Sequence, residues 1–295
     1  MDNAASERWS QDSSFFCREV RRLGGIPITK ITPSSNPRMQ LAQARELIDE
    51  GCTVLVIVAA ESKSAAGIVN YAHSKGVKVI AYDRLIMYSV PDFYVSFDNV
   101  RVGKMQAEYL KKHVPKGDYV ILGGPTTDQN ALMFREGQMA ALKEEVDAGN
   151  IKIVHNTHLN SWKTDEAEVY FEKLLTTLPR NPKAVLATND AIAEGVIRVL
   201  RKKGLVGKVL VTGQDGGENA RKLIANGSQA MTVYKPISKL ASRTAKLAID
   251  IAENRSQYEK VDFIHNGETK IPFIKIEPVV VDRSNLQRLG TYYNW

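Results

Sequence analysis

Short runs of β-branched and apolar residues alternate with amphipathic stretches along nearly the whole chain. The runs ITKI (28–31), TVLVIV (53–58), KVIAY (78–82), FYVSF (93–97), DYVILG (118–123), IKIVHN (151–156), AVLAT (184–188), KVLVTG (208–213) and AMTVY (230–234) have the length and composition of strands. Between them the pattern changes to a helical period. Pro37 to Glu50 predicts a helix with Asn36 as N-cap, Pro37 in the first turn and Gly51 as its stop. Asp190 to Lys203, closed by Gly204, and Gly217 to Asn226, closed by Gly227, repeat that design. Buried strands alternating with helices mean βαβ units, whose parallel sheets are covered on both faces.

These units are too many for one ordinary sheet. The expected fold is therefore α/β, with two doubly wound parallel-sheet lobes joined by a hinge. The first break is placed near Ser96 to Gly103, after FYVSF. No proline-rich or low-complexity linker marks it, which suits a hinge of close crossings rather than a flexible tether. The chain opens on a helical pattern rather than on a strand: Ser6 can cap it, Phe16, Val20 and Leu23 give it an apolar face, and Gly24-Gly25 ends it. The expectation is that the first strand of lobe 1 is absent from this chain, through truncation upstream.

Composition narrows the class. A chain of 295 residues, 43% hydrophobic and 25% charged, is an ordinary globular protein of about two domains. Its longest apolar run, Val54 to Ala60, falls well short of the roughly 20 residues that span a bilayer. Met1-Asp2-Asn3 does not begin a signal peptide, so either the protein is cytoplasmic or the chain starts downstream of its true beginning. Cys17 and Cys52 allow at most one disulfide and suit no metal site; two buried thiols are expected. The net charge of +7 is spread among acidic residues, with short clusters only at Lys111-Lys112 and Arg201-Lys202-Lys203, and marks a solvated surface rather than a nucleic-acid site.

Ligands of open parallel sheets bind outside the carboxyl ends of the strands. Asp83 and Arg84 follow KVIAY there, Asn189 and Asp190 follow AVLAT, and Asp215 follows KVLVTG. Singly, each is a turn residue, a local ion pair or a helix N-cap, and for Asp190 the cap or turn reading is preferred. Together they point to a shared cleft. Asp accepts hydrogen bonds, Arg donates in a rigid fork and Asn does both, a mixture that matches vicinal hydroxyls. A phosphate would want glycine-rich donors, and neither Gly123-Gly124 nor Gly213-Gln214-Asp215-Gly216-Gly217 fits a dinucleotide fingerprint or a P-loop. Trp9 and Trp162 could supply flat surfaces for a sugar ring, although a tryptophan alone is more often core. His73, His113, His155, His158 and His265 form no metal motif, and no nucleophile elbow or kinase set is present. A glycosidase-like carboxylate pair remains conceivable, but the mixture with Arg and Asn favours a binding protein over an enzyme, with no cofactor.

The segments AYDRLI, FDNVRVG, NALMFREGQM (130–139), ATNDA, GQDGG and MTVYKPI resemble those of the bilobal periplasmic sugar-binding proteins of ABC transporters, most closely the D-xylose branch. The likeness runs from Glu7-Arg8-Trp9 to about Val281. It implies residues 1–98 with 236–276 as the N-terminal lobe and 99–235 with 277–295 as the C-terminal lobe, with the sugar cleft between them. It also implies sugar contacts from Arg8, Trp9, Asp83 and Arg84 in the first lobe, and from Asn130, Arg135, Trp162, Asn189 and Asp215 in the second. Lys235 would reach in from the hinge, and the two indoles would stack on opposite faces of one pyranose. The implied location is extracytoplasmic, with anchoring through an upstream segment left open. The implied partner is an ABC permease, or alternatively a membrane sensor kinase or receptor. Two other readings stay open: a sugar-responsive repressor core, for which residues 1–25 leave no room for a helix-turn-helix, and a sugar-processing enzyme.

Overall fold

The buried runs form strands and the amphipathic stretches form the helices that cover them, in a computed structural model that describes residues 7–32, 36–255 and 261–293. The chain runs through α1 (Glu7–Arg22), α2 (Pro37–Asp49), β1 (Val54–Ile57), α3 (Ala66–Ser74), β2 (Lys78–Tyr82) and β3 (Phe93–Phe97). It continues through α4 (Asn99–His113), β4 (Gly117–Gly123), α5 (Gln129–Asp147), β5 (Ile151–His158), α6 (Thr164–Thr177), β6 (Ala184–Ala187) and α7 (Asp190–Lys202). Next come β7 (Leu210–Val211), β8 (Gln214–Asp215), α8 (Glu218–Ala225), β9 (Met231–Tyr234) and α9 (Ile237–Ala252). The last elements are β10 (Asp262–His265), β11 (Lys270–Ile276), β12 (Val279–Asp282) and α10 (Leu286–Tyr293).

These elements divide into two compact units. The first holds the residues up to Phe97, Thr127–Gln129 and Pro236–Ile276; the second holds Asp98–Thr126, Asn130–Lys235 and the residues from Glu277 on. The first unit has one sheet in the order β1-β2-β3-β11-β10, parallel except for the β10–β11 pair. Its core sets Val58, Ile80, Tyr82, Val95 and Phe97 against Leu240 and Leu247 of α9 and Trp9 of α1. The second unit has the parallel sheet β5-β4-β6-β7 and a smaller sheet β12-β9-β8. Side chains of a strand alternate between faces, so a strand buried on both sides needs two cores. Val120 and Leu122 of β4 pack with Phe171, Ile192 and Val196 on one face, while Tyr119 and Ile121 pack with Ala107, Leu110 and Leu142 on the other.

Helix boundaries follow local chemistry. The Asn36 side chain accepts from the amides of Arg38 and Met39 at the start of α2, and Gly24, Gly51, Gly204 and Gly227 take positive φ where helices stop. The proposed Ser6 cap lies outside the described residues.

Three expectations need correction. ITKI (28–31) forms no strand: residues 26–31 carry no regular structure, and Ile26 and Ile28 are 90% and 62% exposed. A cavity of about 270 Å³ lies between this segment and β1, so its backbone has no ladder to join. Four strands without a recognised pattern appear: β8 and β12 are short, β10 is largely exposed, and β11 contains Pro272, which argues against an inner strand. Finally, the two cysteines are free but only half-buried, Cys17 beside the Thr29 hydroxyl at 3.3 Å and Cys52 donating to the Val54 carbonyl at 3.1 Å. Among the described residues no helix is long and apolar enough to cross a membrane.

Candidate functional site

In the first unit, β2 runs directly into Asp83 and Arg84. Asp83 has φ 60°, a left-handed conformation that costs a non-glycine residue about 1–3 kcal/mol and persists only when its surroundings dictate it. Here they do. Its amide donates to the Val95 carbonyl at 2.9 Å, and its own carbonyl accepts from the Tyr94 hydroxyl at 2.9 Å and the Ser96 hydroxyl at 2.7 Å. The turn aims the buried carboxylate at the guanidinium of Arg8, with which it forms an ion pair. Arg8 lies one helical turn before Asp12, 3.6 Å from its carboxylate. Asp12 is fully buried and accepts the hydroxyl proton of Tyr82. Burial and the adjacent Asp12 carboxylate push the Tyr82 phenol well above its usual range, so it stays a donor.

Arg84 is held as firmly. Its Nη1 donates to the Ala59 carbonyl at 2.9 Å and its Nε pairs with Asp128 at 2.9 Å. The Trp9 ring stands 4.6 Å from the Arg8 guanidinium and 5.4 Å from that of Arg84. The first unit therefore brings Arg8, Trp9, Asp83 and Arg84 into one constellation, although Trp9 is also part of the core, with only 7% exposure.

In the second unit, Gln106 of α4 is fully buried and its amide donates to the carbonyls of Thr188 at 3.0 Å and Gly213 at 2.9 Å. It ties the exits of β6 and β7 together, and with them Asn189 and the loop to Asp215. The Asn189 side-chain oxygen caps α7 through the Ile192 amide at 2.9 Å, leaving its NH2 as the donor group. The cap of α7 is thus Asn189 and not Asp190. The Asp190 carboxylate turns instead to the loop after β8, where it accepts from the Gly216 amide at 2.7 Å.

Asp215 has φ 102°, and its carboxylate is 4.0 Å from the Nζ of Lys235. Lys235 is 1% exposed, with its ammonium 4.9 Å from the Phe134 ring centre. Trp162 meets Phe134 edge-on at 6.4 Å, and an added Cβ on Gly124 would lie 2.4 Å from the Trp162 ring. Asp215, Lys235, Phe134 and Trp162 thus form a connected group. Asn130 is buried in the first turn of α5. Arg135 spends donors on β5, reaching the Thr157 carbonyl at 2.8 Å and the Asn156 side-chain oxygen, and burial lowers its pKa to about 10. Among the described residues no group of His, Cys, Asp or Glu converges to hold a metal ion.

Sequence reasoning missed Asp12, Asp128, Gln106 and Phe134. Asp12 had a signal, an acid four residues after a candidate arginine on one helix. Gln106 had one too, a polar residue between Val102 and Leu110 on an apolar face. Asp128, just before α5, had none.

Residues 4–256 match the model of the family described as "Periplasmic binding protein domain". The D-xylose-binding periplasmic protein of Escherichia coli is 38% identical over 288 residues, covering 97% of this chain and 86% of that protein. The D-xylose-binding periplasmic protein of Haemophilus influenzae is 37% identical over 286 residues, with the same coverage of each chain. An ABC transporter solute-binding protein from Clostridium phytofermentans, solved with bound β-D-glucose, superimposes with a TM-score of 0.89 at 29% identity, covering 98% of this chain and 94% of the other.

Proposed function

Because the chain belongs to the periplasmic binding protein family, we propose that it is an extracytoplasmic, non-enzymatic sugar receptor of the ABC-transporter type that takes D-xylose as its ligand. The observation that carries this reading is the pairing, in each unit, of an indole with rigidly held carboxylate and cationic groups. The guanidiniums of Arg8, which pairs with Asp83, and of Arg84 flank Trp9, and Lys235, beside Asp215, adjoins Phe134, which in turn meets Trp162. Such groups suit the reading of hydroxyl positions, because Arg8, Asp83 and Arg84 are held by hydrogen bonds and ion pairs before any ligand arrives, and the ammonium of Lys235 is buried against Phe134. In this reading Asn130, Arg135 and Asn189 complete the polar set. The two relatives named for D-xylose support the choice of sugar.

Selectivity follows from the same rigidity. A pyranose with one misdirected hydroxyl leaves a buried partner unpaired, at a cost of roughly 1–3 kcal/mol. A hexose must also find room for its hydroxymethyl group. D-glucose is the competing ligand, on the strength of the glucose-bound structural relative. Sugar binding favours whichever conformation of the protein binds it more tightly, and a membrane permease that prefers this conformation then responds to sugar.

The test is isothermal titration calorimetry of D-xylose beside D-glucose, D-ribose and L-arabinose, on wild type and Asp83→Ala. The expected outcome is one saturable site, tightest for D-xylose and weakened at least a hundredfold in the variant. Tightest binding of D-glucose would move the assignment to that sugar. Absence of binding by folded wild type to any of the four would refute the reading.

A further inference from the structure

The Asp190 carboxylate has no place in the set of sugar-facing residues, yet it is among the most heavily bonded side chains of the second unit. Its Oδ1 accepts from the Gln229 amide at 2.8 Å and from the Thr232 hydroxyl at 2.8 Å. Its Oδ2 accepts from the backbone amides of Gly216 at 2.7 Å and Gly217 at 3.4 Å. The residue keeps some exposed surface, but these four donors enclose the carboxylate oxygens themselves.

Neighbouring glycines are shaped around it. A Cβ on Gly213 would sit 2.1 Å from Oδ1, so any side chain there would displace the carboxylate. Gly216 takes φ 77°, which L side chains rarely adopt, and so presents its amide to Oδ2. Between these glycines stands Asp215 at φ 102°, in a region that costs a non-glycine residue about 1–3 kcal/mol. The peptide that follows Asp215 is the one whose N–H is bound by Asp190.

We propose that Asp190 is a positioning residue: it binds the 215–216 peptide and the 216–217 peptide so that Asp215 is fixed toward the sugar. The inference rests on the reading of Asp215 as a sugar contact. It explains why Gly213-Gln214-Asp215-Gly216-Gly217 and Asn189-Asp190 occur in one chain. The first segment supplies a strained, ligand-facing acid with room and donors behind it, and the second supplies the cap and the anchor.

The anchor is strongest when ionised, because its oxygens face four donors, two of them glycine amides that can only donate. Protonation forces one bond to reverse, at the Thr232 hydroxyl or through a turn of the Gln229 amide. Burial, with a further push from the Asp215 charge, raises the Asp190 pKa to about 7. The charged groups around this loop are Asp215 itself, Lys235 at 4.0 Å from Asp215, and Arg221, whose Nη1 donates to the Gly216 carbonyl at 2.6 Å. Affinity for the sugar is therefore expected to rise as pH increases through neutrality.

The experiment compares wild type with Asp190→Asn. Asparagine keeps the shape but turns an NH2 toward groups that are themselves donors. D-xylose affinity is measured by calorimetry between about pH 6 and 8, and hydrogen exchange of the Gly216 amide is measured in the free proteins. The variant should bind at least tenfold more weakly at the upper end of that range, lose the pH dependence of wild type, and exchange its Gly216 amide faster. Thermal melting of the variant checks that it is folded, and Thr232→Val, which removes a single donor, should show the same changes to a smaller degree. Binding within twofold of wild type, or an unaltered pH profile, overturns the proposal. If wild type binds no sugar, the functional reading fails, and Gly216 protection then decides the anchoring role by itself: unchanged exchange overturns it and faster exchange supports it.

Discussion

Replacing Gly103 by alanine adds one methyl group to α4, and the surroundings of that methyl group set the outcome. A Cβ at this position would lie 2.0 Å from the Phe134 carbonyl oxygen and 2.7 Å from its carbonyl carbon. Close C···O contacts in proteins begin near 3.3 Å, so α4 and α5 must separate by on the order of 1 Å. No side-chain rotation relieves this, because the obstructing atoms are backbone. The crossing is reciprocal: a Cβ on Gly137 of α5 would meet the Val100 carbonyl oxygen of α4 at 1.9 Å.

Overpacking of this kind costs roughly 1–3 kcal/mol, and occasionally more. Separation also strains the bond from Gln138 to Gln106, 2.8 Å long, and those from Gln106 to Thr188 and Gly213, each worth about 1 kcal/mol. The helix propensity of alanine returns about 1 kcal/mol. The net destabilisation is then about 3 kcal/mol, or roughly 6–12 °C in melting temperature at about 2–4 °C per kcal/mol. Scanning calorimetry is the assay. Gly67→Ala on α3, where nothing lies within 4 Å of the added Cβ, is the control and should be neutral or slightly stabilising. A Gly103→Ala variant that melts at or above the wild-type temperature would falsify this account of the helix crossing.

Two further substitutions probe the proposed sugar contacts, one in each unit. Asp12→Asn keeps the shape of a fully buried side chain but removes the charge beside Arg8; D-xylose affinity should fall about tenfold, near 1.4 kcal/mol, and a change below twofold in calorimetry counts against coupling through Arg8. Gly124→Ala places a methyl group 2.4 Å from the Trp162 ring and should turn the indole away, lowering affinity tenfold or more and altering tryptophan fluorescence. An unchanged spectrum with unchanged affinity would remove Trp162 from the site.

Much of the architecture was legible in the chain because its causes are local. KVIAY and FYVSF read as strands and are β2 and β3, since runs of β-branched and aromatic residues fit a doubly buried pleated surface whatever lies elsewhere. Asn36, Pro37 and Gly51 mark the ends of α2 through bonds and backbone angles within a few residues. ITKI misled for the opposite reason: its composition suits a strand, but a strand exists only when a neighbour completes its ladder.

The polar residues at strand ends could be recognised by type and place, and this was enough to nominate Asp83, Arg84, Asn189 and Asp215. How each is held could not be read. Asp12 reaches Tyr82 across 70 positions, and Gln106 reaches Gly213 across 107. Sequence therefore determined most of the alternation of strands and helices and the chemical kind of the groups at the strand ends, because periodicity, capping and side-chain chemistry act over one or two turns of chain. Tertiary structure alone decided which distant groups hold each carboxylate: Arg8 for Asp83, and Gln229, Thr232 and the Gly216 amide for Asp190. A buried charge is tolerated only where donors from distant segments converge on it, and that convergence leaves no trace in local pattern.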